Sequence, residues 1–161
     1  IDESAAPDYA VLPVGKYPGS SGQPLMNDLK IFRASEMLMI RAEAAAASGN
    51  FAQSSAFVDQ LRDTRFGTDV PTQVPNSAAN AFAQILEQRR IEFAFEGHRY
   101  RDLKRLGQKA GVGVSRLASE CEIFGNCAFE TTDFRFTLAI PIFELDANPA
   151  ITNQNPGYKQ Q

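Results

Sequence analysis

Tryptophan is absent from these 161 residues, histidine occurs once and cysteine twice. Without tryptophan, a sugar-stacking surface would fall to tyrosine, with Tyr9, Tyr17 and Tyr100 as the candidates. One histidine and two thiols are thin material for a zinc centre: His98, Cys121 and Cys127 would have to serve together, with a fourth ligand still to find. A basic excess is also missing. Lys and Arg total 16 against 19 Asp and Glu, for a net charge of −3 and a pI near 5.2. Nucleic-acid binding needs a concentrated basic face, so no nucleic-acid partner is expected. No apolar run reaches the roughly 18 residues of a membrane helix. Signal-peptide and lipidation motifs are lacking. The chain opens Ile1-Asp2-Glu3 without Met, and is read as cut from something longer.

What is present suits one globular domain. Apolar residues make up 43% and charged residues 22%, and 12 Phe supply bulk for a core. The cations are mostly Arg, 11 against 5 Lys, the residue of bidentate carboxylate pairs.

Residues 1–27 carry recurring Pro and Gly and read as an extended lead-in, packing through Tyr9, Val11, Leu12 and Tyr17. A helical domain is expected over 28–161. The first helix is predicted over 28–48, capped by Asp28, with Phe32, Ser35, Met39, Ala42 and Ala46 as its apolar stripe. Gly49-Asn50 stops it. A second helix over 52–65 completes an antiparallel hairpin and presents Phe57, Val58, Leu61 and Phe66. The third runs from Asn76 or Ser77 to Phe95, with Phe82, Ile85, Leu86, Ile91 and Phe93 inward. Gly97 breaks it. A fourth over 98–106 ends at Gly107. Residues 108–133 show no clear pattern. In 134–142, Phe134, Phe136, Leu138, Ile140 and Ile142 alternate, which predicts an extended strand confined to an edge by Pro141. Asn148-Pro149 and Asn155-Pro156-Gly157 are turn chemistry. The class is mainly α, with at most a short edge strand or hairpin.

The densest chemistry lies between Gln88 and Arg105. Glu92 and Glu96 share one helix face at i, i+4, interleaved with Arg89, Arg99, Asp102 and Arg105. Two carboxylates at this spacing fit a glycosidase acid/base pair. The Arg residues among them favour a structural ion network instead, because pairing keeps carboxylates ionised whereas a general acid needs a raised pKa. Cys121 and Cys127 flank Gly125-Asn126 and fit either a small disulfide loop or two buried thiols. A Ser-His-Asp arrangement around His98 lacks a nucleophile-elbow motif. Asp146-Ala147-Asn148 lacks the remaining ligands of a calcium loop, and 107–113 lacks the ending of a phosphate loop.

Three blocks together carry a resemblance. They are Phe32-Arg-Ala-Ser-Glu-Met-Leu-Met-Ile-Arg-Ala-Glu-Ala44, then Gln88-Arg-Arg-Ile-Glu-Phe-Ala-Phe-Glu-Gly-His-Arg-Tyr-Arg-Asp-Leu-Lys-Arg105, then Ile140-Pro141 followed by Glu144, Asn148-Pro149 and Gln154-Asn-Pro-Gly-Tyr158. In order and spacing they resemble the C-terminal part of the SusD/RagB family, over residues 28–158. Gln88 stands where the family often has Glu, and Leu106 where it often has Trp. The cysteine-bearing segment has no family counterpart.

The resemblance implies a mostly α fold of tetratricopeptide-like hairpins, with Ala42 and Ser54 as small packing positions. It implies a lipid-anchored protein on the outer face of the outer membrane. Such proteins bind glycans or other nutrients and cap a SusC-like TonB-dependent transporter; they are not enzymes and need no cofactor. The lipoprotein Cys is expected to precede Ile1. No ligand-contact residue carries over. In this reading Arg89, Glu92, Glu96, Arg99, Asp102 and Arg105 pin the third and fourth helices, and Gly97 supplies the kink. The tail from Gln154 through Asn155, Pro156, Gly157 and Tyr158 folds back after the Asn148-Pro149 turn, with the Tyr158 ring buried and its hydroxyl bonded. The alternative is a helical adaptor whose groove binds a protein partner.

Overall fold

The computed structural model describes residues 14–20, 22–23, 26–121 and 127–159, except the side chains of 119 and 120. The expected packing residues Tyr9, Val11 and Leu12 lie outside them. The chain divides into two units, Ile1–Arg33 and Ala34–Gln161. In the first, the Gly19 amide donates to Asn27 Oδ1 at 2.7 Å, Ser20 and Gln23 form an antiparallel bridge, and the Lys30 ammonium sits over the Tyr17 ring.

The second unit is mainly α. Helix α1 spans Ala34–Ala47 and α2 spans Phe51–Phe66, an antiparallel hairpin closed at Gly49, whose φ of +79° suits glycine. Asn50 caps α2 by accepting from the Gln53 amide. Helix α3, Ala78–Glu92, is capped by Ser77 in the same way. The core joins Met39, Ala42 and Ala46 of α1 to Val58 and Leu61 of α2, and to Phe82, Ile85 and Leu86 of α3. Ala42 and Ser54 are wholly buried, so their small side chains let α1 and α2 approach closely.

Several element boundaries differ from expectation. Helix α1 starts at Ala34, so Asp28 caps nothing and Phe32, at 85% exposure, is outside the stripe. The buried face instead runs Ser35, Met39, Ala42, Ala45 and Ala46. Phe66 and Ile91 also face outward. Helix α3 stops at Glu92, and residues 93–97 form a turn that Gly97 closes at φ +78°.

Gly107 does not end the next helix. Helix α4, Arg99–Asp102, passes through one π turn, Leu103–Gly107, into α5, Gln108–Ala110, and Gly111 in the left-handed region stops it. Gly107 serves close approach: a Cβ there would stand 2.7 Å from both Thr131 Cγ2 and the Val112 carbonyl.

Beyond it lie β1, Val114–Ser115, α6, Ala118–Cys121, and β2, Ala128–Phe129, with β1 and β2 paired antiparallel. The strand expected over 134–142 is absent. Asp133 caps a 3-10 turn, Phe134–Phe136, and α7 occupies Ile142–Ala147 from Pro141. Only Phe136 of the alternating set is buried, because among the described residues no strand pairs with this segment to cover the others.

Candidate functional site

The ion cluster is built where α1, α3 and α4 meet. Arg89, 3% exposed, donates Nε to Asp102 Oδ2 at 2.8 Å, and its guanidinium lies over the Phe93 ring. Glu43 Oε1 stands 3.7 Å from Arg89 Nη1. Arg105 bridges the same two carboxylates, donating Nη2 to Asp102 Oδ1 at 2.9 Å and to Glu43 Oε1 at 2.6 Å, and Nη1 to Glu43 Oε2. These bonds hold the Arg105 charge firmly, with Glu43 the leading cause. His98 stacks on Phe93 at 4.7 Å, with Nδ1 3.4 Å from Arg89 Nη2 and 3.9 Å from Glu36.

Glu92 turns to α2 instead. Glu92 takes a bidentate pair from Arg65 of α2, with Nε at 2.9 Å from Oε2. That bond, with the charges of both Glu92 and Glu96, raises the Arg65 pKa despite some desolvation. A carboxylate held this way is stabilised as the anion, the opposite of what a general acid needs. Glu43 and Arg65 were not in the expected network. They sit on other helices, and spacing along α3 and α4 cannot see them.

Arg99 departs from its neighbours. Its Nη1 donates one long bond, 3.4 Å, to the Leu86 carbonyl, and it forms no ion pair with a described residue. Burial chiefly, and then the nearby Arg90 charge, lower its pKa. Arg90 is itself spent on Glu87. Both arginines, with Phe93, Phe95, Gly97 and Tyr100, line a pocket of about 210 Å³.

The tail is fixed by side chains. Gln154 pairs with Ile140 as a neighbouring strand would, accepting from its amide at 2.7 Å and donating to its carbonyl at 2.9 Å. Asn155 Nδ2 reaches the Leu138 carbonyl. Asn148 Oδ1 accepts from the Ala150 amide, which turns the chain through Pro149. The Asn155-Pro156-Gly157-Tyr158 turn closes with Tyr158 N on Asn155 O, and the Tyr158 ring meets Phe134 edge-on at 5.0 Å. That ring is half-buried, and its hydroxyl has no hydrogen bond to a described residue.

Cys121 and Cys127 form a disulfide, with Cα atoms 5.4 Å apart. The thiols are therefore not available to a metal beside His98. Among the described residues no group of three or more His, Cys, Asp and Glu side chains could hold an ion. No described helix is long and apolar enough to cross a membrane.

The SusD family model matches residues 16–158. The chain belongs to the SusD family. SusD-like protein P2 of Formosa agariphila is 29% identical over 153 residues, which are 87% of this chain and 28% of that protein. A solved SusD superfamily protein of Bacteroides thetaiotaomicron aligns over 88% of this chain and 30% of its own, with TM-score 0.65 and 29% identity. A candidate sugar binding protein of Bacteroides vulgatus aligns over 87% and 31%, with TM-score 0.64 and 24% identity. This SusD-family chain thus spans about 30% of the length of these solved relatives. Over the aligned part the chain shares their fold.

Proposed function

We propose that this chain is a non-catalytic part of a cell-surface protein that binds a glycan and works with a TonB-dependent, SusC-like transporter in the outer membrane, where a lipid anchor would hold it. The family match over residues 16–158 carries this reading. The Bacteroides vulgatus relative supports sugar as the ligand class. The Arg65 clamp on Glu92 supports the absence of catalysis, because the carboxylate at the expected acid/base position is neutralised by a bidentate cation. The helices and their ion cluster act as scaffold in this reading, keeping the tail and the α3–α4 turn in place.

Affinity electrophoresis of the chain through gels containing soluble polysaccharides tests it, with circular dichroism to show that the sample is folded. Retardation by a polysaccharide, with no new reducing ends released, is the expected result. A folded chain that no polysaccharide retards would refute glycan binding by these residues. Release of reducing ends would refute the non-catalytic assignment.

A further inference from the structure

The α3–α4 turn carries features that the scaffold role does not use. Phe95 has φ +64°, a backbone conformation unfavourable to a bulky side chain, yet the residue is 72% exposed. Strain of this kind persists only where the surroundings impose it, and it gathers at ligand sites. Across the pocket, Arg99 is half-buried with its long bond to Leu86, while Arg65, Arg89, Arg90 and Arg105 each bond a carboxylate. Glu87 and Asp102 are near enough to attract Arg99, but neither bonds it. Tyr100 lines the same pocket, with one face of its ring stacked on Phe136 at 6.1 Å and its hydroxyl donating to the Phe136 carbonyl at 2.7 Å.

Sites for drug-sized ligands occupy about 300–1,000 Å³. At about 210 Å³ this pocket suits one ring with one polar substituent. A guanidinium presents a planar fork that fits a carboxylate, and aromatic faces beside it fit the apolar face of a sugar. We propose that Arg99, flanked by Phe95 and Tyr100, binds the carboxylate of a uronic acid unit in an acidic glycan. This rests on the glycan-binding reading and narrows it to a substrate class.

The chain's net charge of −3 makes nonspecific attraction to a polyanion unfavourable, so retardation by one reports a site. The test runs the chain, Arg99→Gln and Phe95→Gly through gels containing polygalacturonate or neutral galactan, each variant checked by circular dichroism. Polygalacturonate should retard the chain and galactan should not. Arg99→Gln should weaken binding about ten- to a hundredfold, as expected for losing a hydrogen-bonded ion. Should Arg99→Gln misfold, Phe95→Gly decides: glycine suits φ +64°, so the variant should melt no lower than the parent and still bind polygalacturonate more weakly. Retardation by galactan alone, or unchanged binding by the folded variants, overturns the acidic-sugar site while glycan binding stands. Failure of every polysaccharide to retard the folded chain overturns both. Competition by N-acetylglutamate equal to that of galacturonate overturns the sugar assignment in favour of an acidic peptide.

Discussion

Replacing Asp102 by alanine isolates the buried ion cluster. Arg89 and Asp102 are each 3% exposed, and Asp102 is the carboxylate within hydrogen-bond distance of Arg89. After the substitution Arg89 would retain Glu43 at 3.7 Å and His98 Nδ1 at 3.4 Å, and Arg105 would keep Glu43 alone. A guanidinium left that deep without its partner costs about 3–5 kcal/mol. Chains of 150–250 residues lose about 2–4 °C of Tm per kcal/mol, so Tm should fall by about 6–20 °C. Against a total stability of about 5–15 kcal/mol this is a large share. Circular dichroism melts read it directly, and urea midpoints check the magnitude. Asp102→Asn keeps an acceptor and should fall between parent and alanine variant. The double variant Arg89→Met, Asp102→Leu removes both charges and should recover most of the loss, because a buried pair often exchanges neutrally for apolar side chains. An Asp102→Ala chain melting within about 2 °C of the parent would refute the reasoning. So would a double variant no better than the single one.

Gly157→Ala should loosen the tail, since φ is +88° there and a Cβ would overlap the Phe134 ring; the left-handed backbone alone costs about 1–2 kcal/mol. Faster proteolysis after residue 148 would report it, whereas Gly97→Ala, with open space around its Cβ, should lose only the backbone part. Asp133 should titrate near 2 rather than 3.8, because Arg135 donates to it from side chain and backbone. Its depressed folded pKa means that its stabilisation is full above the unfolded value and fades as pH falls through about 2. Carboxyl NMR shifts across pH 1–5 check this, and Arg135→Gln should return the midpoint toward the ordinary value.

The helix hairpin and the start of α3 were legible because their signals are local: Gly49-Asn50, the alanine run and the Ser77 cap each act within one turn. The start of α1 was not, since Asp28 and Phe32 imitate a cap and a stripe, yet Phe32 is exposed and the helix begins at Ala34. The alternation over 134–142 misled for a related reason: period two specifies a strand only if a neighbour covers one face. Here Gln154 supplies hydrogen bonds that a strand would have given, and no periodicity announces a side chain doing so. In the ion cluster the residues on α3 and α4 were visible by spacing. Their partners Glu43 and Arg65, 62 and 27 positions away in sequence, were set by helix packing alone.

The π turn at Leu103–Gly107 governs angular phase. An α-helix advances about 100° per residue, so its faces are rigidly tied to sequence number. One wide turn breaks that tie. Upstream of it, Asp102 is aimed at Arg89; within it, Gly107 is pressed against Thr131. Rewinding this turn as regular α-helix, with all five residues kept, would rotate everything after it by roughly a quarter-turn. Either the carboxylate or the glycine would then face the wrong way. The fourth helix therefore makes both contacts only while this turn stays wide.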